Sequence, residues 1–363
     1  MIQDLFFELV QITLGNRDGF SEVPTSEEWT QLFQTACKHS LESVLLDGVN
    51  RAKQLNTNLN LNQGLVLGWI GVGLQTEARN KIQNERSKGL YQIFKLAGYR
   101  SCILKGQGTA LYYEHPEHRQ CGDIDIWVEG ERDEILSFIK KQGLVTDGID
   151  YQHTNVKFFN DVEVEVHFVP SFMYSPSTNI RLQKFFRKKA DIQFYNYDDK
   201  VDFPHTTLDF DLVFSMVHIY RHIFSEGIGL RQLMDYYYIL QYSTEVQRKE
   251  AFDVLRSLRM KSFVGGIMWI LKECFCMKEV YELCPVNDKH GKFLLSEIMT
   301  AGNFGHYDER VRRVNPQKRL KRGVYQLRRN LHFVRYYPSE VLWAPIWKTW
   351  HWCWRKGKGF FDI

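Results

Sequence analysis

At 363 residues, 44% hydrophobic and 25% charged, the chain has an ordinary globular composition and enough length to bury a substantial core in two or more domains. Its seven cysteines are odd in number, which argues against a disulfide framework, and show no zinc-ligand spacing, the closest pair being Cys274-x-Cys276; a reducing cytoplasm fits best. The net charge of +4 is unevenly divided: from Arg310 to Ile363 there are fourteen Lys or Arg against Glu340 and Asp362, so the rest of the chain is net acidic.

In chain order, the opening MIQDLFFELVQITLGN lacks a basic leader and reads as an amphipathic helix, with no secretory signal. Thr25-Ser26-Glu27-Glu28 supplies a cap and an acidic first turn, and apolar residues recur at helical spacing from Trp29 to Leu46. Leu65 to Ala97 predicts another long helix or a pair, closed by Gly98. From Ser101 the pattern switches to sheet: a short strand to Leu104, a glycine turn at Lys105-Gly106-Gln107-Gly108, and an alternating strand from Asp123 to Val128. A helix over Glu131 to Lys141 follows, then Val156 to Phe159 and Val162 to His167 as two strands joined at Asn160-Asp161. Beyond Pro170, Leu182 to Lys189, Thr207 to Phe224 and Leu230 to Tyr242 are helical by pattern. The longest apolar runs, Phe263 to Leu271 and Val341 to Trp347, fall far short of the ~20 residues of a membrane helix. The expected fold is α+β: a small mixed β-sheet core over residues 99–200, helical regions over 1–98 and 201–309, and a basic, Trp-rich segment over 310–363.

Asp123-Ile124-Asp125 carries the chemistry. Side chains two apart on a strand share a face, so both carboxylates can grip the same metals, while Ile124, Ile126 and Val128 make the other face apolar. Two like charges side by side are unfavourable without a counter-ion. Magnesium takes oxygen ligands and keeps several waters, so two or three carboxylates plus substrate phosphates form the expected site, and Glu163 or Glu165 on the later strand can supply the third acid. Two such ions can clamp the attacking and leaving oxygens of an in-line displacement.

Leu104-Lys105-Gly106, Arg119, Gly122-Asp123-Ile124-Asp125 and Glu165-Val166-His167 together resemble the uncharacterised bacterial nucleotidyltransferase family of the polymerase-beta-like superfamily. The likeness continues through Leu230-Arg231-Gln232-Leu233-Met234-Asp235, similar to the helix that follows that family's catalytic domain, so it spans residues 25 to 240. The resemblance implies a nucleotidyltransferase core. It makes Asp123, Asp125 and Glu165 catalytic metal ligands for Mg2+ or Mn2+ and turns Gly106 and Gly108 toward a nucleoside triphosphate. Gln107 follows Gly106 where many members have Gly-Ser or Gly-Gly, which passes the phosphate contact to Lys105 or to backbone amides. His167 shares the strand face of Glu165 in an orienting role, and Arg119, Arg231 and Asp235 are supporting residues.

His218 and His222 also share a helix face, but no glutamate follows His218 as a metalloprotease pattern requires, so they read as surface or packing residues. Arg231 and Asp235, likewise four apart, offer a local ion pair. Trp343, Trp347, Trp350 and Trp354 fall on one helix face that docks onto the protein body, with basic residues on its solvated side available for weak contact with an anionic membrane surface. The function expected is metal-dependent transfer of a nucleoside monophosphate to an acceptor that is a small molecule, a protein or RNA, in the cytoplasm. The alternative is a non-catalytic nucleotide-binding or regulatory protein of the same fold. The complete set of three acids favours the enzyme.

Overall fold

A computed structural model describes residues 2–55, 59–308, 310 and 332–358. The protein is a mixed α+β structure in which helices from both ends of the chain enclose a small sheet. The N-terminal helices are α1 (Ile2–Thr13), α2 (Ser26–His39), α3 (Glu42–Leu55) and α4 (Gln63–Leu96). Thr25 and Glu28 form a reciprocal capping box at the start of α2. The apolar pattern running from Trp29 to Leu46 is broken where Ser40 adopts φ 55°, which ends α2 and starts α3 two residues later. The long pattern to Ala97 is one helix, ended as Gly98 takes φ 86°.

Five strands follow: β1 (Ser101–Leu104), β2 (Ile124–Val128), β3 (Thr146–Asp147), β4 (His153–Val156) and β5 (Val164–His167), in the spatial order β1-β2-β5-β4-β3. β2 and β5 are parallel and the other pairs antiparallel. The hairpin centres on Asn160 as its turn residues predict, but its first strand lies earlier than expected, at His153–Val156. Phe158 and Phe159 leave the ladder because their rings pack on Phe94 and under the Arg86 guanidinium. Between β1 and β2 runs the short α5 (Gln107–Ala110), and α6 (Arg132–Lys141) follows β2.

The two faces of the sheet have different cover. Ile103, Ile124, Ile126, Val128, Val164 and Val166 pack with Leu90 and Phe94 of α4 and with Ile135 and Ile139 of α6. The opposite face carries Asp125, Glu165, His167 and Trp127; the indole packs on Phe194 of α7 (Pro176–Tyr195) and Phe210 of α8 (Leu208–Ser225). Burying aromatic rings of this size is worth roughly 1.5–3 kcal/mol each, which fixes the helices over the acid-bearing face. The helical region continues with α9 (Leu230–Tyr242), α10 (Glu245–Ser257), α11 (Lys261–Phe275) and α12 (Asp288–Ala301).

The C-terminal helix α13 (Pro338–Lys358) docks on the body through only part of the expected tryptophan face, Trp347 and Trp354. Tyr337, Val341, Ala344 and Trp347 lead inward, while Trp343, Trp350 and Trp352 stay well exposed. Trp347 stacks on Phe172 at 4.3 Å, His351 Nε2 accepts the Tyr151 N–H, and Trp354 lies under Arg132 at 4.7 Å. Most of the basic runs between 310 and 331 lie outside the described residues. No described helix is long and apolar enough to cross a membrane.

Asp211, in the first turn of α8, is buried and one of its oxygens has no hydrogen-bond partner among the described residues. Burial pushes its carboxyl up to about 7. A group whose folded value is raised in this way favours the native state below its ordinary range and destabilises it as the pH rises toward 7. Asp211→Asn is therefore expected to raise stability at pH 8 by up to about 4 kcal/mol and to change little at pH 4. Urea unfolding at the two pH values checks this. An equal effect at both would remove the assignment.

Candidate active site

Asp123 stands at the entry of β2 and Asp125 one step inside it. The parallel register sets Asp125 opposite Glu165, which decides between the two candidate acids: Glu163 is exposed and contributes its backbone oxygen to Ile124 N–H, at 2.9 Å. One oxygen from each of Asp123, Asp125 and Glu165 falls within 4.8 Å of the others. These are hard oxygen donors of the kind that divalent cations such as Mg2+ or Mn2+ take, gathered closely enough for small side-chain adjustments to bring them onto one ion. His153, Glu165 and His167 form a second convergent group sharing Glu165.

Asp125 is 2% exposed and has protein counter-charges of its own. Lys105 Nζ lies 3.0 Å from Oδ2, and His167 Nε2 lies 2.9 Å from Oδ1. Burial works against the Lys105 charge, but Asp125, Asp123 and Glu165 outweigh it and hold the ammonium above its ordinary value. Burial likewise opposes a charged His167, yet its bonds to Asp125 and Glu165 raise it to about 9. The like-charge crowding expected from Asp-x-Asp is thus relieved within the protein.

The turn after β1 has left-handed backbone at both Lys105 (φ 46°) and Gly106 (φ 56°), an arrangement that costs about 1–2 kcal/mol at the lysine. It sends the Lys105 side chain to Asp125. Gly108 plays a different part from the one expected: a Cβ there would lie 2.8 Å from the His205 Cβ, so glycine is needed for close packing, and Thr109 lines the site instead. Gln107 is buried and bonds Asn84 of α4 at 2.6 Å.

Arg231 and Asp235 do not pair with each other. Asp235 takes a bidentate contact from Arg119, at 2.7 and 2.8 Å, and a bond from the Tyr113 hydroxyl at 2.7 Å. Arg231 donates to the Gln120 carbonyl at 2.8 Å, and its Nε has no partner among the described residues. Both contacts pin the loop that leads into Asp123 against α9. The other side of that loop is held by a polar stripe on α4 that the hydrophobic pattern does not reveal. Asn80 donates to the Glu117 and Arg119 carbonyls, Gln83 to that of Gly122, and Thr76 to the Gln120 side chain. Buried carbonyls must find donors, and these side chains recur at helical spacing to provide them.

Three hollows meet the acids, one of them, of about 520 Å3, reaching only Asp123 past Arg79 and Gln83, and the other two reaching both aspartates. Of these two, one is lined by Lys105, Gly106, Arg119, Asp123 and Arg231. The other, of about 420 Å3, is lined by Asp125, Glu165, His153, His218, Arg221 and His222 among others. The i,i+4 histidines read from sequence as packing residues therefore face the site, with rings 4.2 Å apart. Burial pushes His218 well below its ordinary value. A larger cleft of about 640 Å3 beside the hairpin, between Val145 and Glu163, contains none of the three converging acids.

A family described as uncharacterised nucleotidyltransferase matches residues 25–276. The chain belongs to this nucleotidyltransferase family. The match extends past Asp235 through α10 and α11, so the helices packed behind α9 belong to the family region along with the sheet. Among solved structures, the crystal structure of an antigenic nucleotidyltransferase-like protein from Paracoccidioides brasiliensis is similar at 13% identity and a TM-score of 0.33, covering 54% of this chain and 92% of that one. No curated protein matches the chain.

Proposed function

We propose that the protein is a metal-dependent nucleotidyltransferase of the polymerase-beta-like kind, transferring a nucleoside monophosphate from a nucleoside triphosphate to an acceptor oxygen. The observation that carries this reading is the convergence of Asp123, Asp125 and Glu165 from two paired strands within 4.8 Å. In the reaction the acceptor oxygen bonds to the α-phosphorus, the bond from that phosphorus to the β-phosphate bridging oxygen breaks, and pyrophosphate leaves with that electron pair. A bound Mg2+ or Mn2+ supplies charge neutralisation on the phosphates and lowers the pKa of the attacking group.

The protein's own residues position and discharge. Asp123 and Asp125 supply the ligand oxygens, and Glu165, held 3.3 Å from His167 and 3.4 Å from His153, is either the third ligand or the acceptor of the attacking hydroxyl's proton. Lys105 and Arg231 bring positive charge to the hollow beside Gly106, the side of the acids to which we assign the triphosphate. The free cysteines and the absence of a membrane-crossing helix among the described residues accord with a cytoplasmic enzyme.

Calorimetric titration with magnesium and each non-hydrolysable nucleoside triphosphate tests the site, and release of pyrophosphate from the labelled triphosphates tests turnover. Saturable binding by wild type and none by the Asp123→Asn, Asp125→Asn double variant is expected. Equal binding by the two would overturn the metal site. Binding without pyrophosphate release in any cell extract would favour the non-catalytic alternative, for which the Lys105 and His167 counter-charges on Asp125 already provide a metal-free resting state.

A further inference from the structure

Arg221, near the C-terminal end of α8, projects over the 420 Å3 hollow on the hairpin side of the acids. Its guanidinium carbon lies 3.4 Å from the centre of the Phe172 ring and 4.6 Å from that of Tyr174. This is a closely stacked cation–π arrangement. The platform is itself braced. Trp347 of α13 stacks on the far side of the same cluster, 4.3 Å from Phe172 with the rings 19° apart, and buried Glu340 accepts the backbone N–H groups of Tyr174 and Ser175. The C-terminal helix thus holds the aromatic platform, and the platform holds the guanidinium.

Despite that support, Arg221 Nη1 is buried and has no hydrogen-bond partner among the described residues. A buried polar donor left unmade costs about 1–3 kcal/mol, and more when it is charged. The carboxylates beside it on the wall are engaged elsewhere. An Asp150 oxygen accepts the N–H groups of Gln152 and His153, and Glu226 lies 3.5 Å from His222 Nδ1. A guanidinium fixed on this platform, lining the hollow it shares with Asp123, Asp125 and Glu165, matches an oxyanion in charge.

We propose that Arg221 binds the anionic group, phosphate or carboxylate, of the acceptor, and that the acceptor is a small anionic molecule. This rests on the nucleotidyl-transfer reading of the site. The size of the hollow, about 420 Å3, suits a small molecule. The two sides of the acids divide the work: Arg231 of α9 lies with Gly106 on the donor side, and Arg221 of α8 lies with His153 and His222 on the acceptor side. Phe172, Tyr174 and Trp347 are positioning residues for the guanidinium.

The test uses the full chain in three steps. Magnesium and a non-hydrolysable triphosphate are titrated first, and the saturated protein is then titrated with inorganic phosphate, acetate or glycerol. Wild type is expected to bind phosphate or acetate saturably and glycerol not at all, the stronger of the two anions naming the group. Arg221→Gln is expected to weaken anion binding at least tenfold with triphosphate affinity unchanged. Arg221→Lys, which keeps the charge without the fork, and Trp347→Leu, which loosens the platform, are expected to fall between. Circular dichroism melts confirm that each variant is folded. Anion binding that is absent in wild type, or equal in wild type and Arg221→Gln, overturns the proposal, as does a loss of triphosphate affinity in Arg221→Gln, which would move Arg221 to the donor side. Failure of wild type to bind triphosphate in the first step would instead count against the nucleotidyl-transfer reading, and phosphate titration of the triphosphate-free protein would still decide whether Arg221 holds an anion.

Discussion

Asp123→Asn is expected, on the proposed function, to lower nucleotidyl transfer by at least about a thousandfold while leaving the protein folded, because it removes a ligand charge from a site proposed to hold cations against a triphosphate. Asp123 is half-buried at the strand entry and makes no hydrogen bond or ion pair with another described residue, so the shape-preserving change costs little stability. Asp125→Asn should abolish activity to the same extent with a different structural consequence. Its carboxylate is buried between Lys105 and His167, and neutralising it strands the charge of a largely buried ammonium. Removing one partner of a buried pair typically costs about 3–5 kcal/mol. Matching activity losses with unequal stability losses, read by pyrophosphate release and by urea unfolding, are the expected result. Asp123→Asn retaining even a tenth of wild-type turnover would exclude it as a metal ligand.

Arg119→Ala is expected to destabilise the protein by about 3–5 kcal/mol, the largest single effect away from the three acids. Arg119 is buried, and its fork closes on both oxygens of Asp235. Burial alone would push the Asp235 carboxyl up, but Arg119 beside it prevails and holds it below the usual carboxylate value. Depression of this kind gives stability that is complete above the unfolded aspartate value near 3.9 and is lost as the pH falls through the lowered folded value. The stability gap between wild type and Arg119→Ala should therefore narrow in acid, where Asp235 is protonated in both, and widen as the pH rises. Arg119→Met combined with Asp235→Leu should recover most of the loss, since a well-packed apolar pair avoids stranding either charge. A double variant as unstable as Arg119→Ala would mean that the loop ahead of Asp123 depends on the hydrogen bonds themselves.

The sequence by itself determined the local elements and the acids. Alternation over Asp123 to Val128 places both aspartates on one face whatever surrounds the strand, and the pattern of Leu230 to Tyr242 marks α9 at its observed bounds, because periods of two and 3.6 residues follow from backbone geometry alone. The switch from helix to sheet at Gly98 is equally local, set by one residue able to take a positive φ. Tertiary structure decided which charges meet. Asp235 has Arg231 four residues away on its own helix, yet it pairs with Arg119, 116 residues distant, because the loop before β2 brings a rigid fork to it inside the core. The same holds for the polar stripe of α4, whose Thr76, Asn80 and Gln83 look like a solvated face until the loop they bond is laid against them. It holds too for α13, where the periodicity predicted a docking helix but the inward face is set by the Phe172 and Tyr174 rings it meets. Local periodicity encodes direction relative to the chain's own axis, whereas the partner in that direction depends on the path of segments a hundred residues away, and no local pattern carries that information.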